Sequence, residues 1–558
     1  MQSDTEASVE RLFADLSGPQ REAVAHTDGP LLILAGPGSG KTRVITRRAA
    51  HLACTVTEPY HILAITFTNK AAKEMRERID ALSVGEGMTV CTFHALCAKL
   101  LRWHHDRAGV PRNFTIFDRD DRRKLIKAAI ERCNLSTDNL SPASVDQDIG
   151  RAKNAMLTAA QFASRNLDWR ERMIARVYEC YENLLTEMGG LDFDDLLMRM
   201  AMVLSRDGEL RAELENRYRF VLIDEYQDTN AAQYQIARLL TQQHENICAT
   251  GDPDQSIYGW RGADIGNILS FERDYAKAKV VRLEQNYRST KRILAAADAL
   301  IAGNVMRKEK GLWTENDEGP AVRMLECEDG DEEAAEIAED IVTRVREGLS
   351  PGDIAVFYRI NSLSRVIEEA FLRAGIAYQI ARGVEFYNRK EIKDVLAYLR
   401  VLVNPSDEMA LVRIINTPPR GIGATTIERL KEQAEAMSCR IFDVLMDDAA
   451  LSSLGRSGQK VREFGQLLRQ LAPVLELPPG KALETVISHS GLRALYRESR
   501  EVDDAPSANL DELISAASEF QLDQPEATVV DWLEHAALIS DVDAVRGEGG
   551  AVTLMTLH

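Results

Sequence analysis

Leu31-Leu32-Ile33-Leu34-Ala35-Gly36-Pro37-Gly38-Ser39-Gly40-Lys41-Thr42 is the stretch whose reading decides the fold. Four apolar residues run straight into a glycine-rich turn, and a helix-compatible segment, Arg43 to Ala50, leaves it. The pattern predicts strand, phosphate loop, helix. In such a loop the glycines Gly36, Gly38 and Gly40 let successive backbone N–H groups turn inward on a polyphosphate, with Pro37 and Ser39 as further members of the nucleotide-binding loop. Lys41 then reaches the outer phosphates, and the Thr42 hydroxyl is placed to ligate Mg²⁺. The site is built for a nucleoside triphosphate. Ala35 stands where the pattern usually opens on glycine, a position that accepts a small residue.

The 558 residues exceed what one hydrophobic core holds, so three or four domains are expected. With 45% hydrophobic and 28% charged residues the composition is that of a soluble globular protein. No apolar run approaches a bilayer span. The N-terminal Met1-Gln2-Ser3-Asp4-Thr5-Glu6 lacks the basic start and apolar segment of a secretory signal, so a cytoplasmic location is expected. The eight cysteines are scattered without a Cys-x-x-Cys pair, which argues against zinc or a disulfide framework and for small buried apolar residues. A net charge of −19 does not suggest a nucleic-acid binder, yet gripping a single strand needs only a local basic or aromatic groove.

Outward from the loop, Ser17 can cap a helix starting near Pro19, from whose first turn Gln20 offers a donor and an acceptor suited to the adenine edge. His61 to Ile65 reads as a buried strand followed by a turn into a helix, Thr66 to Met75. Thr89 to Ala95 is another strand with a polar and aromatic tip. Both tips fall at carboxyl ends of parallel strands, where open α/β sheets place ligands. Phe67 and Phe93 read equally well as core, and His94 taken alone as a hydrogen-bonded structural residue.

From 113 to 190 strand signals give way to helical periodicity, an insertion closed by Leu191-Asp192-Phe193-Asp194-Asp195-Leu196-Leu197. Its aspartates suit a helix start, which implies a structural or coupling role rather than metal. Phe220-Val221-Leu222-Ile223 then delivers Asp224 and Glu225. After a phosphate loop, this is a Walker B element in which Asp224 holds Mg²⁺ through its water shell and Glu225 orients and deprotonates the attacking water. The strand Asn246 to Thr250 leads into Gly251-Asp252-Pro253-Asp254-Gln255-Ser256-Ile257-Tyr258-Gly259-Trp260-Arg261-Gly262-Ala263. There the Gln255 amide can sense a γ-phosphate, while Tyr258, Trp260 and Arg261 supply a base-stacking platform worth about 1–3 kcal/mol per base.

Val280 to Leu283 reads as the opening of a second α/β unit that ends in Glu284-Gln285-Asn286-Tyr287-Arg288-Ser289-Thr290. Arg288 is the candidate finger, reaching a γ-phosphate from the neighbouring domain and worth about 10³–10⁵ in rate. The unit continues through strands at Ile354 to Tyr358 and near Ala377 to Ala381. The acidic run Asp329 to Asp340, with Ala335, Ile337 and Ile341 at helical spacing, is a solvated helix face. Beyond Phe386-Tyr387-Asn388-Arg389-Lys390-Glu391-Ile392-Lys393-Asp394 the chain is helical to about residue 548. Asn416-Thr417-Pro418-Pro419-Arg420-Gly421-Ile422-Gly423 interrupts it. There Gly421 and Gly423 can turn backbone amides to a phosphate and Arg420 can add charge. A plain connecting turn fits equally.

The ordered set of Gln20, the Walker loop, TFTNKAAKEM, TFHA, DFDDLL, DEYQDTN, GDPDQSIYGWRGA, LEQNYRST and FYNRKEIKD resembles the superfamily 1 DNA helicases of the UvrD/Rep/PcrA type, over essentially the whole chain. The resemblance implies an α/β fold of two RecA-like P-loop NTPase cores, each with an α-helical insertion. The first core would comprise residues 1–112 and 191–280 with insertion 113–190. The second would comprise 281–385 and 549–558 with insertion 386–548. It implies an ATP- and Mg²⁺-dependent 3′ to 5′ helicase that moves on single-stranded DNA and at junctions with duplex. Such an enzyme acts in repair, replication restart or recombination control, as a monomer or weak dimer among DNA-repair proteins.

By the same resemblance Gln20 and Tyr287 hold adenine. Lys41, Thr42 and Arg43 bind phosphates and Mg²⁺, and Asp224 and Glu225 serve metal and water. Gln255 and Arg288 contact the γ-phosphate. Phe67, Asn69, Thr92, His94, Tyr258, Trp260 and Arg261 line the DNA track or couple it to nucleotide, and Gly421 to Gly423 touches duplex. The final Val552-Thr553-Leu554-Met555-Thr556-Leu557-His558 looks like the start of the family's fifth motif. The expectation is a fragment with an incomplete second core that binds ATP and hydrolyses it poorly. Competing readings are a translocase that strips proteins from single strands, a nucleotide-binding scaffold, and a helicase-nuclease subunit.

Overall fold

A computed structural model describes residues 10–137, 140–308, 310–380, 384–452, 454–497, 506–539 and 550–557, without the side chains of Arg261, Asn361, Val384, Glu385 and Arg456. The chain divides into two compact units. One comprises Met1–Phe93, Leu204–Gly383 and Ser540–His558; the other comprises His94–Val203 and Val384–Ile539. In chain order the strands are β1 (Leu31–Ala35), β2 (Ile62–Thr66), β3 (Thr89–Thr92), β4 (Thr115–Phe117), β5 (Gly190–Asp192), β6 (Phe220–Ile223), β7 (Ile247–Gly251), β8 (Lys279–Leu283), β9 (Ala355–Tyr358), β10 (Tyr378–Ile380) and β11 (Val552–Thr556).

In the first unit six parallel strands form one sheet in the order β3-β2-β6-β7-β1-β8. Strands β1, β2, β6 and β7 are buried along their whole length, the signature of a parallel sheet covered on both faces. This accounts for the continuous apolar runs in the sequence. One expectation is corrected here. Val280 to Leu283 does not open a second sheet; it is the edge of the first, in register with β1 from Leu31↔Lys279 to Ala35↔Leu283. The pairing buries Val281 and Leu283 in the core beneath β1 and leaves Arg282 exposed.

A second, three-stranded parallel sheet has the order β10-β11-β9. Its central strand is supplied by Val552–Thr556, and Val552 and Leu554 meet Phe371, Tyr358 and Ile341 in a small core. The acidic run forms the helix Gly330–Arg346, whose first turn is capped by Asp329. Its buried face is Ala334, Ala338 and Ile341, with Ile337 partly covered; Ala335 is exposed, one position off the expected stripe.

The second unit is helical apart from the parallel pair β4–β5, a strand pairing that helical periodicity did not announce. Gly190 is required there, since a Cβ would run into the Phe117 ring. The aspartates of the 191–197 segment are structural. Lys153, fully buried, places its Nζ 2.8 Å from both Asp192 and Asp195 and 2.6 Å from Glu182, while Arg122 reaches Asp194 at 2.5 Å. Lys153 and Arg122 hold the Asp192 carboxyl well below its usual range, whereas burial and the Asp192 charge push Asp195 up to about 7. All eight cysteines are free. Only Cys97 and Cys248 are buried, so the expectation of buried thiols fails for the other six, which are partly exposed. Among the described residues no helix is long and apolar enough to cross a membrane.

Candidate nucleotide and nucleic-acid site

β1 ends at Ala35, and the loop that follows is tied to the sheet by the Gly36 N–H donating to the Leu283 carbonyl at 3.1 Å. Gly38 and Gly40 adopt φ of +64° and +87°, the left-handed conformation that lets the loop curl its N–H groups inward. Ser39 Oγ donates to the Gly36 carbonyl at 2.7 Å and closes the turn. The helix Lys41–Thr55 then starts without an acidic residue in its first turn, which leaves its positive dipole end available to an anion.

Gln20 is buried and committed on both sides. Its oxygen accepts the Ser17 N–H at 3.0 Å, and its amide donates to the Ser39 carbonyl at 2.9 Å. One amide hydrogen and one lone pair remain for a base. Thr42 stands in the first turn of the helix. Beside it Arg43 is half-exposed, 3.8 Å from Asp15.

At the end of β6 the two carboxylates take different environments. Asp224 is buried and accepts the Glu225 N–H at 3.0 Å. Burial, then the neighbouring Glu225 charge, pushes the Asp224 carboxyl up to about 7. Such a carboxylate gains from a cation beside it, which fits a divalent metal carried mainly by phosphate and water. Among the described residues no group of three or more His, Cys, Asp or Glu side chains is gathered as a metal cage. Glu225 has φ +50°, a strained non-glycine conformation, and turns its carboxylate onto Lys41, with Nζ at 2.7 and 2.9 Å.

Gln227 was not singled out from sequence. Its amide donates to Glu225 at 2.9 Å and Asp228 at 3.2 Å, and its oxygen accepts the Asp252 N–H at 3.0 Å. It therefore links the ends of β6 and β7. Gly251 is needed because a Cβ would collide with the Gln227 amide oxygen. Gln255 donates to Asp252 at 2.6 Å, and Asp252 also pairs with Lys310, a residue with no local sequence signal. Lys310 lies 3.1 Å from Asp254 as well, and Arg307 joins at 3.3 Å.

The 284–290 segment is rooted on the phosphate loop. The Tyr287 N–H donates to the Gly38 carbonyl at 2.9 Å, and the buried Asn286 donates to the Pro37 carbonyl at 2.6 Å. Contrary to expectation, Arg288 does not sit on the second sheet; its N–H donates to Asn286 Oδ1 at 2.8 Å, within the segment that Asn286 and Tyr287 bond to the loop, and its side chain is exposed. The Tyr287 ring is exposed, with its hydroxyl on Gln285 at 2.8 Å.

Phe67 and Tyr258, 191 positions apart by subtraction of their numbers, stack with ring centroids 4.9 Å apart and planes at 27°. Trp260 is 64% exposed on the following turn. Asn69 starts the helix Asn69–Asp80 after the Thr68 cap, and Thr92 is buried at the tip of β3. The Arg261 side chain lies outside the described residues.

In the second unit, His94 stands edge-on to Phe193, 5.8 Å between ring centroids, and burial lowers its imidazole to about 4. Gly421, φ +68°, and Gly423 flank Ile422, and Gly423 precedes the helix Ala424–Met437. Of the two readings of this turn, the Arg420 side chain follows the plain connecting turn. Its guanidinium donates to the Ile414 and Ser490 carbonyls and to Tyr398 Oη and lies 5.1 Å over the Phe464 ring, which fixes the turn from inside.

Residues 16–276 match the UvrD/REP helicase N-terminal domain and residues 281–558 the UvrD-like helicase C-terminal domain. The ATP-dependent DNA helicase PcrA of Staphylococcus epidermidis is 40% identical over 555 residues, covering 98% of this chain and 76% of the relative. Its namesake from Staphylococcus aureus is 40% identical over 554 residues with the same coverage.

Proposed function

The chain belongs to the UvrD/Rep helicase family, and on that premise we propose an ATP-driven motor that moves 3′ to 5′ on single-stranded DNA and opens duplex at a junction. The enzyme class is ATP-dependent DNA helicase on two RecA-like cores. Residues 113–190 and 386–548 are the insertions of the first and second core. The helical content of residues 113–190 and 386–539 and their place in the second unit support this assignment.

The observation that carries the mechanism is the Lys41–Glu225 ion pair. Each member's task requires the other to let go. Entry of the β- and γ-phosphates gives Lys41 a second anionic partner and releases Glu225 to accept a proton from water, 10²–10⁴-fold being the order of magnitude for such a base. Thr42 and Asp224 would hold Mg²⁺ together with the phosphates, and the ion when bound would supply neutralisation of charge on the transferred group. Gln255 and Arg288 contact the γ-phosphate, and Arg43 adds charge at the loop. Gln20 spends its remaining hydrogen-bonding capacity on adenine, against which the exposed Tyr287 ring stacks.

The stacked Phe67–Tyr258 pair and exposed Trp260 form the base platform, joined by Asn69, Thr92 and Arg261, while His94 serves the coupling of DNA to nucleotide. The Gly421–Gly423 turn presents N–H groups to duplex phosphates. The expected setting is DNA repair or replication restart alongside repair proteins.

Strand displacement with ATP tests this directly. A duplex with a 3′ single-stranded tail is expected to open and one with a 5′ tail to stay closed. Opening only the 5′-tailed duplex refutes the polarity. Rapid movement along single strands without displacement makes the chain a protein-stripping translocase instead.

A further inference from the structure

Asn286 belongs to none of the roles assigned above, yet its buried side chain makes three hydrogen bonds beside the nucleotide loop. It is 1% exposed. Its amide hydrogen goes to the Pro37 carbonyl at 2.6 Å, and its oxygen accepts the N–H groups of both Arg288 and Ser289, at 2.8 and 2.7 Å. One side chain therefore fixes the phosphate loop and the backbone that carries Arg288. The fit is close on the other side too. A Cβ on Gly38 would lie 2.7 Å from Arg288 Cβ and 2.8 Å from Asn286 Nδ2, so loop and segment interlock around a glycine. The Tyr287 N–H bond to the Gly38 carbonyl adds a third tie.

We propose that Asn286 is a positioning residue that sets Arg288 against the phosphate loop, so that the γ-phosphate is read by one rigid body made of the loop and residues 286–289. In this arrangement Arg288 does not wait for a second core to close before it meets the nucleotide. Any nucleotide-driven hinge lies after Ser289. The proposal rests on the reading of Arg288 as a γ-phosphate ligand, and its test separates the two.

The whole chain is used, as wild type and as Asn286→Ala, Arg288→Ala and the double variant. Affinities for ADP and for a non-hydrolysable ATP analogue are measured by fluorescence titration, and ATP turnover is measured with single-stranded DNA. Arg288→Ala is expected to cut the preference for the triphosphate over ADP by about tenfold or more, as loss of a charged hydrogen bond does. Asn286→Ala is expected to cut the same ratio at least threefold with ADP affinity held within threefold. The double variant is expected to be no worse than Arg288→Ala, because both act on one contact.

An Asn286→Ala effect that multiplies with that of Arg288→Ala, or that lowers ADP and triphosphate binding equally, overturns the positioning role. An Arg288→Ala ratio equal to wild type overturns the reading beneath it. Asn286→Asp guards against a folding defect. It keeps the acceptor for the two N–H groups but opposes an oxygen to the Pro37 carbonyl, and is expected to lose the triphosphate preference as Asn286→Ala does. Retention of full preference by Asn286→Asp also overturns the proposal.

Discussion

Replacing Glu225 by Gln separates the two halves of the Lys41–Glu225 pair. The pair is short, 2.7 Å, with side chains 12% and 33% exposed, so it is partly solvated and worth about 1 kcal/mol rather than the several of a dry pair. Gln keeps the shape and can still accept the Gln227 amide hydrogen, so the network at the end of β6 should persist. Lys41 then has no anionic partner to leave when nucleotide arrives. Affinity for an ATP analogue is expected to rise, by a factor of up to about 5 for 1 kcal/mol. The base is gone, however, and turnover should fall by roughly 10²–10⁴, or about 3–5 kcal/mol of barrier. Steady-state hydrolysis with saturating single-stranded DNA gives the first number, and a fluorescent-nucleotide titration of the same preparation gives the second. Turnover within tenfold of wild type refutes the assignment of Glu225 as base. Binding weakened more than tenfold refutes the idea that the pair competes with nucleotide.

Phe67→Ala and Tyr258→Ala should each weaken single-stranded DNA binding by about 1–3 kcal/mol, through loss of the stacked pair. Hydrolysis measured without DNA should stay near wild type, and fluorescence anisotropy with a labelled oligonucleotide checks the first part. Lys153→Met removes the cation shared by Asp192, Asp195 and Glu182 and should cost about 3–5 kcal/mol in thermal or urea unfolding. The loss should be smaller at pH 5 than at pH 8, since acid neutralises the stranded carboxylates. His94 titrates near 4 when folded against 6.5 ordinarily. Unfolded chain therefore binds a proton that the folded chain refuses, and stability is lost as pH falls from 6.5 toward 4. His94→Gln should remove about 2 kcal/mol of that loss at pH 5, read from unfolding curves at pH 5 and 7.5.

The phosphate loop and the Walker B strand were legible because their chemistry is contiguous. An apolar run that must be buried, glycines that alone accept a left-handed turn, and a lysine or carboxylate at the next position all lie within a dozen residues. The helix Gly330–Arg346 was legible for the same reason, with its capping Asp329 and its periodic apolar face, although the stripe was misplaced at Ala335. Arg420 was open between a phosphate contact and a plain connecting turn, because a guanidinium beside two glycines fits both in one dimension; Tyr398, Phe464 and Ser490, distant in sequence, claim it. Strand β8 misled because a short, mostly apolar segment such as Val280–Leu283 signals a strand but not the sheet that it joins.

What the amino-acid order determined by itself was local: the strand–loop–helix unit, the paired carboxylates after a buried strand, the aromatic turn, and through their sequence the helicase family. Tertiary structure alone decided which of those parts touch. Lys41 meets Glu225 across 184 residues, and Asn286 holds Pro37 across 249. No short-range pattern encodes such pairings. They follow from strand order in the parallel sheet, where β1 between β7 and β8 brings the loop beside residues 286–289.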